Sequence, residues 1–202
     1  SAQSATSVDS VANSSTQSAK KHPAPFRWVN PQKLKLPGVR HATFRSSSMD
    51  IDVGYCIYIP SEYSKPRASN KRFPVVYYLH GGRPGNETKS VKLVKHMHRA
   101  IESGRVPPMI YVFVNGGPVS HYNMSGRSNA MGEDVFVKEL IPHVDSVYRT
   151  INGRDGRGIE GFSQGGRGTT RIMFKYPELF GSAAPGGAGQ ATEKRISEEN
   201  GR

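Results

Sequence analysis

Two patterns of hydrophobic and polar positions follow one another along the chain, and they predict different kinds of strand. Residues 39–47 and 49–60 alternate between apolar and polar side chains, as expected for two antiparallel strands with one covered face. Residues 74–79 and 109–114 are short and almost continuously apolar, which is typical of strands buried on both faces. The order of the two patterns predicts a sheet with an antiparallel N-terminal edge and a parallel centre.

Helical periodicity separates the later strands. Apolar side chains recur every three or four positions in residues 88–103 and 133–148, and a further helix is predicted at 165–176. Short strands are predicted directly before and after that helix, at 158–162 and 181–184. Strand–helix alternation requires right-handed crossovers. We therefore predict an α/β fold with a mostly parallel sheet and helices on both of its faces.

The N-terminal segment has a different composition from the rest. Residues 1–20 are rich in Ser, Ala, Thr and Gln and poor in large apolar side chains, so they cannot bury enough surface to offset the entropy of ordering. We predict a disordered leader or linker over residues 1–25 and one domain over residues 26–202. The small residues at the start resemble a segment that begins just after a signal-peptide cleavage site. This favours a secreted or periplasmic protein and leaves a cytoplasmic one open.

Charge and cysteine content exclude several classes of function. Lys and Arg number 28 against 16 Asp and Glu, but this charge is spread along the chain without interleaved aromatic residues, so we expect no nucleic-acid partner. The apolar runs are far shorter than the roughly 20 residues of a membrane-spanning helix, so we expect no membrane partner. The single cysteine, Cys56, lies in an apolar strand, which indicates a buried, unreactive thiol. We also expect no metal and no cofactor.

Gly161, Ser163 and Gly165 form the pattern G-x-S-x-G between a predicted strand and a predicted helix. A serine on such a sharp turn has a strained backbone and crowded neighbours, so small residues must flank it. The following helix directs its first amides to the place where negative charge develops during acyl transfer. We therefore predict Ser163 as a catalytic nucleophile. The alternative is a glycine-rich turn in which the serine only caps the helix.

A second motif, LHGG, follows the buried strand at residues 74–79. An oxyanion hole needs two backbone N–H donors, one from the residue after the nucleophile and one from a loop after an earlier strand. We predict Gln164 as the first donor and Gly82 as the second, because glycine lets a substrate oxygen approach the backbone closely. His80 is expected to hold this loop through side-chain hydrogen bonds rather than to act as the general base.

The order of these segments resembles the putative-esterase family of α/β-hydrolases, which includes esterase D (S-formylglutathione hydrolase), feruloyl and acetylxylan esterases, enterochelin esterase and the mycolyltransferases. The resemblance covers residues 45–189 and is carried by YYLHGG, MIYVFVNGG, KELIPHVDSVYRT, RGIEGFSQGGRG and FKYPELFGSAAPGG. It implies an α/β-hydrolase fold, with the nucleophile on Ser163 and the oxyanion amides on Gln164 and Gly82. It also implies that residues 139–142 are a structural signature.

The rest of a catalytic triad is not found after the predicted nucleophile. All seven histidines precede Ser163, whereas in α/β-hydrolases an acid and then a histidine follow the serine along the chain. We therefore expect the C-terminal part of the catalytic domain to be absent, with the acid and the base beyond Arg202. A relocated base at His121 is the lesser alternative.

The residues leave three functions open. The leading one is a serine carboxylic-ester hydrolase that forms an acyl-enzyme on Ser163 and acts on a small-molecule or carbohydrate ester. Acyl transfer to a sugar or another alcohol is a second, and a noncatalytic carbohydrate-associated domain is a third. A strained serine turn argues against the third, because strain has little use without chemistry. Substrate contact is predicted in the loop after residues 109–114, at His121, Tyr122 and Asn123.

Overall fold

The computed structural model describes residues 26–82, 85–118, 121–124, 126 and 128–188. The leader predicted for residues 1–25 lies outside the described residues. Within them, six strands form one sheet in the order β1-β2-β4-β3-β5-β6. The strands are β1 (Val39–Ser46), β2 (Ile51–Tyr58), β3 (Val75–Leu79), β4 (Ile110–Val114), β5 (Arg157–Phe162) and β6 (Ser182–Gly186).

The pairing of the strands confirms the predicted division of the sheet. β1 pairs with β2 in antiparallel register, and β2 pairs with β4 in the same sense. β4, β3, β5 and β6 are parallel neighbours. The alternating segments therefore form the antiparallel edge, and the continuously apolar segments form the parallel centre.

The helices alternate with the parallel strands. They are α1 (Val94–Glu102), α2 (Gly132–Asp134), a π-helical turn (Val135–Leu140), α3 (Ile141–Val147) and α4 (Gln164–Lys175), with short 3-10 turns at Ser61–Ser64, Pro66–Ala68, Val91–Leu93 and Arg154–Gly156. The single helix predicted at residues 133–148 is thus divided by the wider turn. That turn lies next to Pro142, which has no N–H to donate to a regular α-helix. No helix in the described part of the chain is long and apolar enough to cross a membrane.

Apolar side chains fill both faces of the sheet. On one face Tyr77 and Leu79 of β3 belong to a core that also includes Ile172 of α4. On the other face Cys56 of β2 packs in a smaller core with Val94 of α1. Cys56 is buried, as predicted, and burial raises the pKa of its thiol to about 12.

The parallel centre determines where a site can form. Because β3, β4 and β5 run in the same direction, their carboxyl ends lie at one edge of the sheet, where α/β proteins bind their ligands. The LHGG loop follows β3, the loop containing His121 follows β4, and Ser163 follows β5. The predicted nucleophile and the predicted oxyanion loop therefore belong to the same edge.

Candidate active site

Ser163 connects β5 to α4 in a strained conformation. Its φ is +59° and its ψ is −115°, a combination that residues with a side chain rarely adopt. A helix-capping serine has extended backbone angles and accepts a hydrogen bond from the first turn, but the Ser163 side chain makes no capping hydrogen bond. The alternative of a merely capping serine is therefore wrong.

The glycines of the G-x-S-x-G motif allow the close approach that this turn needs. A Cβ atom on Gly165 would overlap the carbonyl oxygen of Leu79 at the end of β3. A Cβ atom on Gly161 would lie 2.5 Å from the carbonyl carbon of Gly165. Side chains at these two positions would thus push α4 away from the sheet and move the serine with it.

The LHGG loop lies directly against the serine turn. A Cβ atom on Gly81 would lie 2.7 Å from the carbonyl oxygen of Phe162 and 3.2 Å from the Cβ of Ser163. Gly82 follows with a φ of +80°, which glycine adopts without strain. The structure therefore brings together the loop with Gly82, the nucleophile and the first residue of α4, Gln164. The oxyanion role of the two amides stays a prediction.

His80 holds the LHGG loop through hydrogen bonds of its side chain, as expected from the sequence. Its Nε2 accepts a hydrogen bond from the Gly116 N–H (3.1 Å), so the proton of the neutral ring is on Nδ1, which faces the Gly81 carbonyl oxygen at 3.4 Å. Burial lowers the pKa of His80 to about 4. The ring is therefore a neutral structural link between the ends of β3 and β4.

The loop after β4 differs from the prediction of substrate contact. The His121 side chain is fully buried, and Tyr122 is only 4% exposed, so neither ring has a surface for a substrate in this structure. Asn123 is half-buried, and its Oδ1 accepts hydrogen bonds from the backbone N–H groups of Glu133 and Asp134 at 3.1 Å. Burial thus corrects the prediction for His121 and Tyr122, while substrate contact by Asn123 stays a prediction.

The histidines among the described residues do not form a hydrogen bond with the Ser163 hydroxyl. His121 Nε2 donates instead to the carbonyl oxygen of His80 at 3.1 Å, which argues against the relocated base. The expectation of an acid and a histidine beyond Arg202 stays a prediction.

The family described as "Putative esterase" matches residues 46–185, a stretch that includes the LHGG loop and the serine turn. The chain belongs to this esterase family. The match runs from the end of β1 into β6 and lies within residues 45–189, the range of the sequence resemblance.

Three similar proteins show how far the similarity reaches. An esterase of Mycobacterium tuberculosis strain H37Rv is 28% identical over 152 residues, which cover 73% of this chain and 32% of the relative. The endo-1,4-beta-xylanase/feruloyl esterase of Xylanibacter ruminicola is 30% identical over 148 residues, which cover 71% of this chain and 20% of that one. The chain therefore spans a third or less of the length of these two relatives.

The third similar protein is a solved structure. The ferulic acid esterase of the anaerobic fungus Anaeromyces mucronatus superposes with a TM-score of 0.62 at 21% identity, covering 85% of this chain and 68% of that one. This likeness shows the fold, and it confirms the predicted α/β-hydrolase architecture.

The chain also contains a buried carboxylate, Glu87, that the sequence gives no sign of. Its oxygens accept hydrogen bonds from the Asn30 N–H at 2.6 Å and from Asn115 Nδ2 at 2.9 Å, and His41 Nε2 lies 3.1 Å away. These partners are 57, 28 and 46 positions distant, so no local pattern reveals them. Glu87 fixes the segment after the LHGG loop to the end of β4 and to the N-terminal part of the domain.

A second buried carboxylate joins α2 to the helix after the nucleophile. Glu133 lies in the first turn of α2. Its side chain pairs with Arg171 and with Lys175 Nζ at 2.6 Å, and Tyr176 donates to it at 2.8 Å. Burial alone would raise the pKa of Glu133, yet these partners leave that pKa lowered. The ionised carboxylate therefore ties α4 to α2.

Proposed function

We propose that the protein is a serine carboxylic-ester hydrolase with Ser163 as its nucleophile. One observation carries the proposal: a serine with a left-handed backbone conformation stands on a strand-to-helix turn, with a glycine loop packed against it. Strain of this kind persists only where the surrounding structure enforces it, and it is concentrated at active sites. Membership of the esterase family supports the same reaction.

The proposed reaction proceeds through an acyl-enzyme. The Ser163 hydroxyl oxygen attacks the acyl carbonyl carbon while a histidine base takes its proton. The amides of Gln164 and Gly82 donate to the resulting oxyanion, and the bond to the alcohol breaks as the alcohol takes up the proton. Water then attacks the acyl group with help from the same base, so that the carboxylic acid leaves and the serine regains its proton.

The proposed substrate class is an acyl ester of a carbohydrate. Support comes from the Xylanibacter ruminicola relative, whose name combines a xylanase with a feruloyl esterase and which shares 30% of its residues with this chain over the matched region. An ester of an aromatic acid with a small alcohol would enter the same reaction, because the serine attacks the acyl carbonyl in both cases.

Labelling with a fluorophosphonate tests the nucleophile. In the protein at its natural length we expect covalent labelling of the wild type and of Ser103→Ala, a control at an exposed serine at the end of α1. Ser163→Ala should remain unlabelled and should lose at least ~10³-fold in kcat on 4-nitrophenyl acetate, as nucleophile variants of serine hydrolases do. Labelling that persists in Ser163→Ala would contradict the assignment.

A further inference from the structure

His121 has a conformation that its residue type does not favour. Its φ is +67°, and its side chain is completely buried beneath the loop that follows β3. Glycine would adopt this backbone conformation without strain, whereas a histidine is strained in it. Such strain persists only where the contacts of the residue offset it. Those contacts lead to two different parts of the candidate active site.

The first set of contacts leads to the LHGG loop through a closed ring of hydrogen bonds. His121 Nε2–H donates to the carbonyl oxygen of His80 at 3.1 Å, and the His121 backbone N–H donates to the Gly116 carbonyl oxygen at 2.7 Å. The Gly116 N–H donates in turn to His80 Nε2 at 3.1 Å. The two imidazole centroids are 4.6 Å apart. Each donor in this ring has one acceptor, so the position of the His80 carbonyl, just before Gly81, depends on His121.

The second set of contacts leads to the helix that begins after the nucleophile. A Cβ atom on Gly168 of α4 would lie 3.2 Å from both the Cβ and the Cδ2 of His121, so the ring packs closely against the helix. The Arg171 guanidinium, one turn further along α4, donates to the His121 carbonyl oxygen and lies 4.1 Å from the centre of the Tyr122 ring. His121 is therefore attached to α4 through both its side chain and its backbone.

We propose that His121 is a positioning residue that sets the separation between the oxyanion loop and the nucleophile helix. Oxyanion donors act only when they lie about 2.7–3.1 Å from the developing charge, so a shift of a few tenths of an ångström matters. Gly82 moves with the His80 carbonyl, and Gln164 moves with α4. His121 contacts both supports and fixes the distance between the two amides. This inference rests on the proposed function of Ser163.

A pair of nearly isosteric substitutions tests the role of the Nε2–H donor. His121→Met removes the donor, whereas His121→Gln keeps an N–H at similar reach, and both unbranched side chains meet the same backbone strain. The readouts are kcat and KM for 4-nitrophenyl acetate and the inhibition constant of phenylboronic acid, which forms a tetrahedral adduct on serine. All values are taken for the protein at its natural length and expressed per active site, counted by fluorophosphonate titration.

For His121→Met we expect kcat to fall ~10- to 100-fold, up to the effect of losing one oxyanion donor, with KM within about twofold of the wild type. The phenylboronic acid constant should rise by a similar factor, and His121→Gln should recover most of both losses. A merely structural role would lower the number of active sites and leave these constants unchanged. The proposal would be overturned if kcat and the inhibition constant were the same in His121→Met, His121→Gln and the wild type. Equal losses in the two variants would overturn it as well.

Gly168→Ala decides the matter even if the His121 variants do not fold. The added methyl group would press on the His121 ring, which must shift by a few tenths of an ångström. The Nε2–H donor of His121 remains in this variant. We expect a ~3- to 10-fold loss of kcat at constant KM, against no change in Thr170→Ala on the same helix. An unchanged kcat in Gly168→Ala overturns the inference alone, provided that wild-type turnover depends on Ser163. Turnover that survives Ser163→Ala overturns the proposed function and the inference together.

Discussion

At the scale of single residues, steric contacts position Ser163 more directly than polar ones. Its backbone N–H donates to the Gly186 carbonyl oxygen at 2.9 Å, while its side chain has no capping role. The glycines on either side let the turn approach the end of β3. The conformation of the nucleophile therefore depends on the absence of side chains around it.

Gly165→Ala should show this dependence. Its methyl group would overlap the Leu79 carbonyl oxygen, and backbone cannot move aside as a flexible side chain can, so we expect a loss of at least about 2 kcal/mol in the free energy of unfolding. Gly168→Ala is the matched control on the same helix, since its methyl group meets only side chains, at 3.2 Å. Both changes add one methyl group to the same helix, so the difference between the two variants in urea unfolding measures the cost of the backbone overlap. Equal stabilities of the two variants would contradict the steric account.

His80 predicts a pH dependence of stability. Its pKa is about 4 in the folded protein against an ordinary value of 6.5, because burial disfavours the charged ring. Between these values the unfolded chain binds a proton that the folded chain does not, so the contribution of His80 is fully present above pH 6.5 and is lost as the pH falls towards 4. The slope for one proton is about 1.4 kcal/mol per pH unit.

His80→Gln isolates that contribution, because glutamine keeps an acceptor for the Gly116 N–H and does not titrate. Urea unfolding at a series of pH values should show the wild type losing more stability than the variant on acidification below pH 6.5. Other titrating groups are common to both proteins and cancel in the comparison. Parallel stability curves would contradict the buried, neutral state of His80.

The sequence reveals some residues of the site and hides others for a physical reason. Ser163, Gly165 and the LHGG glycines belong to short motifs whose spacing follows from one turn, so local pattern is sufficient. The burial of His121 depends on contacts with His80 and Arg171, which are 41 and 50 positions away. Such contacts exist only once the strands have assembled, and a histidine in a loop gives no sign of them.

At the scale of elements, the helical segment between β4 and β5 is connected to the antiparallel edge by one carboxylate. Glu139, in the π-helical turn, accepts hydrogen bonds from the Ser46 hydroxyl at 2.6 Å, the Ser47 hydroxyl at 3.0 Å and the Ser48 N–H at 2.8 Å. Ser46 is the last residue of β1, and Ser47 and Ser48 lie in the turn to β2. The segment with family resemblance at residues 139–142 thus has a structural contact that agrees with its expected structural role.

Glu139→Gln should weaken this connection. The glutamine NH₂ group would face at least one of the three groups that donate to Glu139, so at least one hydrogen bond would be lost. Losing a hydrogen bond to a charged group costs about 1–3 kcal/mol of stability. The matched control is Lys138→Gln, because Lys138 is exposed and its ion pair with Asp134 contributes at most about 1 kcal/mol. Urea unfolding of both variants checks the prediction. A Glu139→Gln variant as stable as Lys138→Gln would show that the hairpin does not depend on the carboxylate.

Periodicity predicts the elements well where burial alone decides them. The β1 and β2 strands are found within two residues of their predicted ends, because each alternates between a covered and an open face. The helix predicted at residues 133–148 is less regular than its periodicity suggests. Apolar spacing reports which face is buried, but it does not reveal that the backbone widens over Val135–Leu140.

At the scale of the whole molecule, the candidate site forms only when the parallel strands of the sheet have assembled. β3 supplies the LHGG loop, β4 supplies the loop with His121, and β5 supplies Ser163, so three separate segments must be in register before the site exists. Strand–helix alternation makes the mostly parallel sheet predictable as a fold class. The two carboxylates that lock the segments together, Glu87 and Glu133, are not predictable, since their partners come from distant parts of the chain.

Trapping the acyl-enzyme tests the central claim most directly. The protein at its natural length is mixed rapidly with 4-nitrophenyl butyrate, nitrophenol release is followed, and the quenched protein is digested for mass spectrometry. The account predicts a stoichiometric burst of nitrophenol. It also predicts a butyryl group on the peptide that contains Ser163, with both signals absent in Ser163→Ala. A butyryl group on another residue, or turnover that continues in Ser163→Ala, would contradict it.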